Sequence, residues 1–130
     1  MPETLFVYGT LMTGMASGGL LSAFPHAEAT CRGQLYRSPA GAPILVPSPD
    51  GRPIRGELIT LPDPGPLMVL DLLEGVKSGR SHRRRVPVEQ EGRGLEAWAW
   101  VLSLQTVELR AYAPLPVQDW RTVAPREPAQ

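Results

Sequence analysis

Hydrophobic and polar positions along the 130-residue chain fall into short segments punctuated by Gly and Pro, and most of these segments carry the pattern of strands. The first is Thr4 to Tyr8, an apolar and aromatic run that suits a buried strand and breaks at Gly9, a residue free of the usual backbone limits. Ala27 to Arg37 alternates, with Thr30, Arg32, Gln34 and Tyr36 on one face and Cys31, Gly33 and Leu35 on the other. Ile44 to Val46 is a short buried strand stopped by Pro47, and Ser48-Pro49-Asp50-Gly51 carries turn chemistry. Arg52 to Leu61 is a further strand, in which Ile54, Leu58 and Ile59 break the alternation and predict a bulge near Gly56. Arg83 to Gln90 and Leu95 to Leu104 form a hairpin across Glu91-Gly92-Arg93-Gly94. In its second strand Ala97, Ala99 and Val101 oppose Trp98, Trp100 and Leu102, so both faces are apolar and both are expected to be covered.

Two segments carry the helical period instead. Ser17 can cap a short helix over Gly18 to Phe24, with Leu20, Leu21 and Phe24 as its apolar side and Pro25 as its stop. The second runs from Pro66 to Glu74, with Asp63 as cap, Pro66 in the first turn and Gly75 as stop. Val69, Leu72, Leu73 and Val76 form its apolar stripe. From about residue 105 a Pro-rich tail with Tyr112 and Trp120 is expected to lie across the body in irregular form and to end in a mobile segment. About six strands and two short helices make an α+β fold, the strands closing into a small barrel or a strongly curled sheet. The length favours a single domain over residues 1–130.

Composition narrows the function. The formal net charge is zero, so no global basic field is available for nucleic acid. No apolar run approaches membrane-spanning length. Cys31 is the one cysteine, which excludes an intrachain disulfide; with no secretory segment at the N-terminus, the expectation is a cytoplasmic protein. His26 and His82 are the only histidines and lack ligand spacing, so a metal site is not expected.

The chemistry concentrates in two places. A strand that ends in a turn at Gly9 exposes successive backbone N–H groups, which can cradle an anion or a carbonyl oxygen; the alternative is an ordinary first strand running into a turn. Glu74 sits in the last helical turn, where the negative end of the dipole costs a carboxylate about 0.3–1 kcal/mol. Leu70 and Leu67 lie on its face and Asp71 adds like-charge repulsion, so its pKa is expected to rise toward the range of a general acid/base. The alternative is a solvated helix end. Glu57, inside a strand after Gly56, is the rival carboxylate. Tyr8 is either a core aromatic or a hydroxyl donor to substrate, and His82 is either a pocket donor or a surface residue. Arg83-Arg84-Arg85 reads as surface or structural ion pairing; the other readings are a hold on a substrate carboxylate or a footprint for RNA or DNA. Cys31 reads as a small buried apolar residue.

Five motifs in order resemble the γ-glutamylcyclotransferase-like (AIG2-like) family from about residue 5 to residue 102. Tyr8-Gly9-Thr10-Leu11 resembles its Tyr-Gly-Ser/Thr-Leu motif, and Gly33-Gln34-Leu35-Tyr36 its Gly-x-Leu-Tyr strand. Arg55-Gly56-Glu57-Leu58 resembles its Val-x-Gly-Glu-Leu strand, with Ile54 in the apolar place. Leu70-Asp71-Leu72-Leu73-Glu74-Gly75 resembles its helix end, and Ala97 to Val101 its Ala-x-x-Tyr-Val strand.

The resemblance implies a small mixed β-barrel with flanking short helices. It implies Glu74 as general acid/base, with Tyr8, Gly9, Thr10 and Leu11 holding a small-molecule γ-glutamyl substrate and no cofactor. Where the family often carries Tyr-x-Arg, this chain has Ser81-His82-Arg83-Arg84, and His82 is the candidate replacement for the tyrosine. The family's loop Asn is replaced around Ala16, Ser17 and Gly18. The expected activity is cyclisation of a γ-glutamyl amide to 5-oxoproline with release of an amine or amino acid. The alternative is a non-catalytic binding module of the same fold. Nucleic acid and membrane are not expected partners, and the sequence does not set the oligomeric state.

Overall fold

The computed structural model describes residues 2–123; the end of the tail lies outside the described residues. Among the described residues seven strands belong to one sheet. In chain order they are β1 (Glu3–Val7), β2 (His26–Arg37), β3 (Pro43–Pro47), β4 (Arg52–Leu61), β5 (His82–Gln90), β6 (Arg93–Val101) and β7 (Ala113–Leu115). β1 pairs antiparallel with β4, β4 with β2 and β2 with β3. Parallel bridges of β6 to β3 (Leu45 opposite Val101) and to β1 (Leu5 opposite Trp98) close the circuit. The result is a closed five-strand mixed barrel. β5 extends it as the hairpin partner of β6, and β7 adds to β2.

Closure explains the patterns. β6 buries both Ala97, Ala99 and Val101 on one face and Trp100 on the other, as its two apolar faces require. Strand β2 keeps the predicted alternation, with Ala29, Cys31 and Leu35 buried. Leu5, Phe6, Leu45 and Ile59 are fully buried in the interior, each contributing about 1.5–3 kcal/mol of burial. The hairpin turn is tighter than expected. Gln90 pairs with Arg93, leaving a two-residue turn at Glu91-Gly92 with both φ angles positive.

Four expectations are corrected. The β2–β4 register runs unbroken from Gly33–Arg52 to His26–Ile59, so there is no bulge at Gly56. The alternation fails because Glu57, Leu58 and Ile59 are all buried, and Gly56 is needed because a Cβ there would lie 2.3 Å from the Val7 carbonyl oxygen. The helix at Gly18 is a four-residue 3-10 turn, Gly18–Leu21, without a side-chain bond from Ser17, and Leu20 is exposed.

The third correction concerns α1 (Gly65–Leu73), which buries Leu67 and Leu70 rather than the predicted stripe; Leu72 remains 67% exposed. The helix is apolar nearly all round, so periodicity alone could not choose the docking face. Finally, the described part of the tail carries regular elements where an irregular path was expected. Ser103 caps α2 (Leu104–Leu109) by accepting from the Thr106 N–H at 3.1 Å, and Leu115 of β7 pairs with Leu35. Val107 of α2 seats in a small outer cluster with Ile44, Val46 and Leu102.

Candidate active site

The loop after β1 and the end of α1 meet at a cavity of about 50 Å³, lined by residues 6–11, Ala42, Pro43, Glu74 and Trp100. This is space for the compact head of a small molecule. Gly9 folds the loop back by accepting from the Met12 N–H at 3.1 Å, and Thr10 accepts from the Ser17 N–H at 2.7 Å. The N–H groups of Gly9, Thr10 and Leu11 have no intramolecular acceptor among the described residues, so three adjacent donors remain for a ligand. Gly9 does not use a left-handed backbone angle. It is required because a Cβ would lie 2.9 Å from the Pro43 ring, which forms the opposite wall.

Glu74 is the C-cap of α1. The end of the helix is a Schellman turn, with the Gly75 N–H donating to Leu72 and the Val76 N–H to Asp71. Gly75 has φ of 72°. The Glu74 carbonyl accepts from the hydroxyl of Ser81, which is 2% exposed, at 2.9 Å, so the helix end is tied to the start of β5. The Glu74 carboxyl has no hydrogen-bond partner among the described residues. Burial raises its pKa, and the charge of Arg80 offsets part of that rise. The direction agrees with the sequence argument, whereas the part assigned to Asp71 does not. Asp71 is occupied elsewhere: Oδ1 accepts from Arg83 Nε at 2.8 Å and from Trp100 Nε1 at 2.9 Å, which ties the indole wall of the cavity to α1.

Tyr8 lines the cavity, but its hydroxyl is committed to the fold. It donates to the Trp100 carbonyl and accepts from the Leu45 N–H at 3.1 Å. It thereby stitches the sparsely paired seam between β3 and β6, and burial pushes its phenol pKa up. The core-aromatic reading therefore describes Tyr8 better than that of a donor to substrate.

For His82 the placement fits the surface reading: it is exposed at the start of β5 opposite Val101 and is not among the cavity residues; the buried residue in that stretch is Ser81. Period 2 sends Arg83 and Arg85 to one side, where their guanidinium groups lie 4.6 Å and 5.0 Å from the Trp98 ring centre. Arg83 bonds Asp71, and Arg85 lies within 4.0 Å of Glu3 and Glu96. Burial pushes the Cys31 thiol up to about 11. Sequence reasoning missed Ala42, Pro43 and Trp100 as walls, because their convergence on the loop is long-range. Among the described residues no His, Cys, Asp and Glu cluster suits a metal ion, and no helix is long and apolar enough to cross a membrane.

Comparison with known proteins bears on this arrangement. The family model described as gamma-glutamyl cyclotransferase, AIG2-like, matches residues 5–122. No curated protein matches by sequence. Among solved structures, an AIG2-like protein from mouse is similar at TM-score 0.73 and 20% identity, over 99% of this chain and 97% of that one. YkqA from Bacillus subtilis is similar at TM-score 0.71 and 25% identity over 94% of this chain, which spans only 40% of the longer Bacillus protein. A protein described as a gamma-glutamyl cyclotransferase is similar at TM-score 0.64 and 19% identity, over 89% of this chain and 73% of that one.

Proposed function

The chain belongs to the gamma-glutamyl cyclotransferase, AIG2-like family, and from that premise we propose that it cyclises a γ-glutamyl amide to 5-oxoproline and releases the amine. The substrate's own α-amine is the nucleophile. It is tethered to the γ-carbonyl it attacks, so little entropy remains to be lost. Glu74 takes the proton from the α-ammonium group, and the freed amine adds to the γ-carbonyl. The carbonyl oxygen becomes an oxyanion facing the N–H groups of Gly9 to Leu11. Collapse of the tetrahedral centre breaks the bond to the leaving nitrogen, which receives the proton from Glu74, and the ring nitrogen sheds its second proton, so that the amine departs as its ammonium ion and the lactam nitrogen is neutral. Glu74 ends ionised as it began, and the sequence of steps calls on no cofactor.

One observation carries this reading: a desolvated carboxyl without a hydrogen-bond partner shares a small cavity with three adjacent backbone donors left without acceptors. A binding module of the same fold is the second reading. Its support is that the Tyr8 hydroxyl is occupied and His82 is outside the cavity, which reduces the side-chain groups available to a substrate. The test separates the two. Purified protein is incubated with γ-glutamyl amino acids and amines, γ-glutamyl-ε-lysine included, and 5-oxoproline is quantified. Wild type is expected to release it, and Glu74→Gln is expected to lower kcat by about 10²–10⁴-fold with the fold intact. Near-normal turnover by Glu74→Gln would remove Glu74 from the chemistry.

A further inference from the structure

Among the described residues Glu57 is the one buried carboxylate, 7% exposed, and the role proposed for Glu74 leaves it unexplained. Glu57 lies in β4 opposite Val7, the last residue of β1, where the strand gives way to the cavity loop. It is not among the residues lining the cavity. Its Oε1 instead accepts from the Thr13 N–H at 2.8 Å, two residues beyond the donors of the cradle. Its Oε2 lies 4.0 Å from Arg121 Nη1, in the 3-10 turn Trp120–Thr122.

Arg121 is itself locked in place. Its guanidinium donates to both oxygens of Glu28 at 2.9 Å and to both oxygens of Asp119 at 2.9 Å and 3.0 Å. The hydrogen bond from Arg121 holds the Glu28 carboxyl below its ordinary range. Glu28 pairs with Glu57 across the β2–β4 register. Two carboxyl groups side by side on adjacent strands repel when both are ionised, and Arg121 lies close to both. An unbroken line of contacts thus runs from the C-terminal turn through Arg121 and Glu57 to the loop that carries the cradle.

We propose that Glu57 is the positioning residue of that cradle, and that Arg121 holds Glu57 in place, making the C-terminal turn part of the cavity's support. A single bond from Glu57 fixes the backbone just past Met12, while the bonds from Met12 to Gly9 and from Ser17 to Thr10 close the loop on itself. Fixing Thr13 therefore fixes the aim of the Gly9, Thr10 and Leu11 N–H groups. Acid/base work stays with Glu74.

The consequence for turnover rests on the cyclotransferase reading; the consequence for the loop does not. Two readouts keep them apart: exchange of the Thr13 amide followed by NMR, and kcat/KM for 5-oxoproline release across pH. Glu57→Ala is expected to speed Thr13 exchange about tenfold or more, since it removes a bond to a charged group. It is also expected to lower kcat/KM by about tenfold and to leave the acid limb of the pH profile unmoved. Glu57→Gln keeps an oxygen acceptor at the same place and is expected to restore most of both. Unchanged Thr13 exchange in Glu57→Ala, or no rescue by Glu57→Gln, would overturn the proposal. If wild type releases no 5-oxoproline, the cyclotransferase reading falls and Thr13 exchange still decides the role of Glu57. Should Glu57→Ala fail to fold, Arg121→Gln carries the exchange measurement. Faster exchange at Thr13 supports the tail's part in it, and wild-type exchange overturns it.

Discussion

Replacing Gly75 by Ala tests how Glu74 is held in the cavity. Gly75 is the left-handed residue that closes the Schellman turn, with φ of 72°. An L-residue in that region costs about 1–2 kcal/mol. The added Cβ has a second cost: it would lie 2.1 Å from Arg80 Nε and 2.8 Å from Arg80 Cβ, so the Arg80 side chain must leave. With it goes the bond from Arg80 Nη2 to the Leu73 carbonyl at 3.1 Å, an exposed bond whose loss costs roughly 0.5–1.5 kcal/mol. The sum is about 1.5–3.5 kcal/mol. For a chain of this size that corresponds to a fall in Tm of roughly 5–14 °C. Urea and thermal melts of Gly75→Ala, Arg80→Ala and the double variant measure it. If displacement of Arg80 accounts for part of the loss, the double variant is less destabilised than the two singles added together. A Gly75→Ala variant within about 0.5 kcal/mol of wild type would refute the argument that the left-handed turn and the Arg80 contact fix this helix end. Turnover adds a second reading of the same variant: activity should fall by more than the unfolded fraction explains, because Glu74 is the adjacent residue.

Two other perturbations follow from the same geometry. Glu74 is raised above the ordinary value of 4.5 by burial. At a pH below that value both the folded and unfolded states are protonated, and wild type and Glu74→Gln should be similarly stable. As pH rises through the folded-state pKa, wild type must ionise a desolvated carboxyl and should lose stability relative to Glu74→Gln. Urea midpoints at acid and alkaline pH report the difference, and a wild type that gains on the variant with rising pH would mean that the carboxylate is paired. For Tyr8→Phe, the loss of an acceptor for the buried Leu45 N–H and of a donor to the Trp100 carbonyl should cost about 1–3 kcal/mol. Its melt should shift far more than its KM, and a large KM change in a variant of wild-type stability would return Tyr8 to direct substrate contact.

The sequence by itself determined strands β1 to β6, the hairpin and the two stretches that line the cavity. Period-2 alternation in β2, the doubly apolar β6 and a hairpin turn within Glu91-Gly92-Arg93-Gly94 are local signals, and each needs only its own residues to be read; that the turn tightens to Glu91-Gly92 is seen in the strand register. The Leu67 and Leu70 spacing before Glu74 was legible for the same reason, as was the direction of the Glu74 shift. Apart from α2, whose Ser103 cap is local, most of what failed depends on a residue far along the chain. Which face of α1 docks depends on where the barrel lies, and the sequence offers two apolar faces. Gly9 is required by Pro43 across the cavity, and the Tyr8 hydroxyl is consumed by a seam between β3 and β6 that no local pattern announces. Asp71 was read as a repulsive neighbour of Glu74 because it lies three residues away. The fold instead supplies Arg83 and Trp100 from β5 and β6, and those contacts bind its charge. Strand and turn propensities are written into neighbouring residues. The partners of buried polar groups are chosen by closure of the barrel, which only the tertiary structure decided.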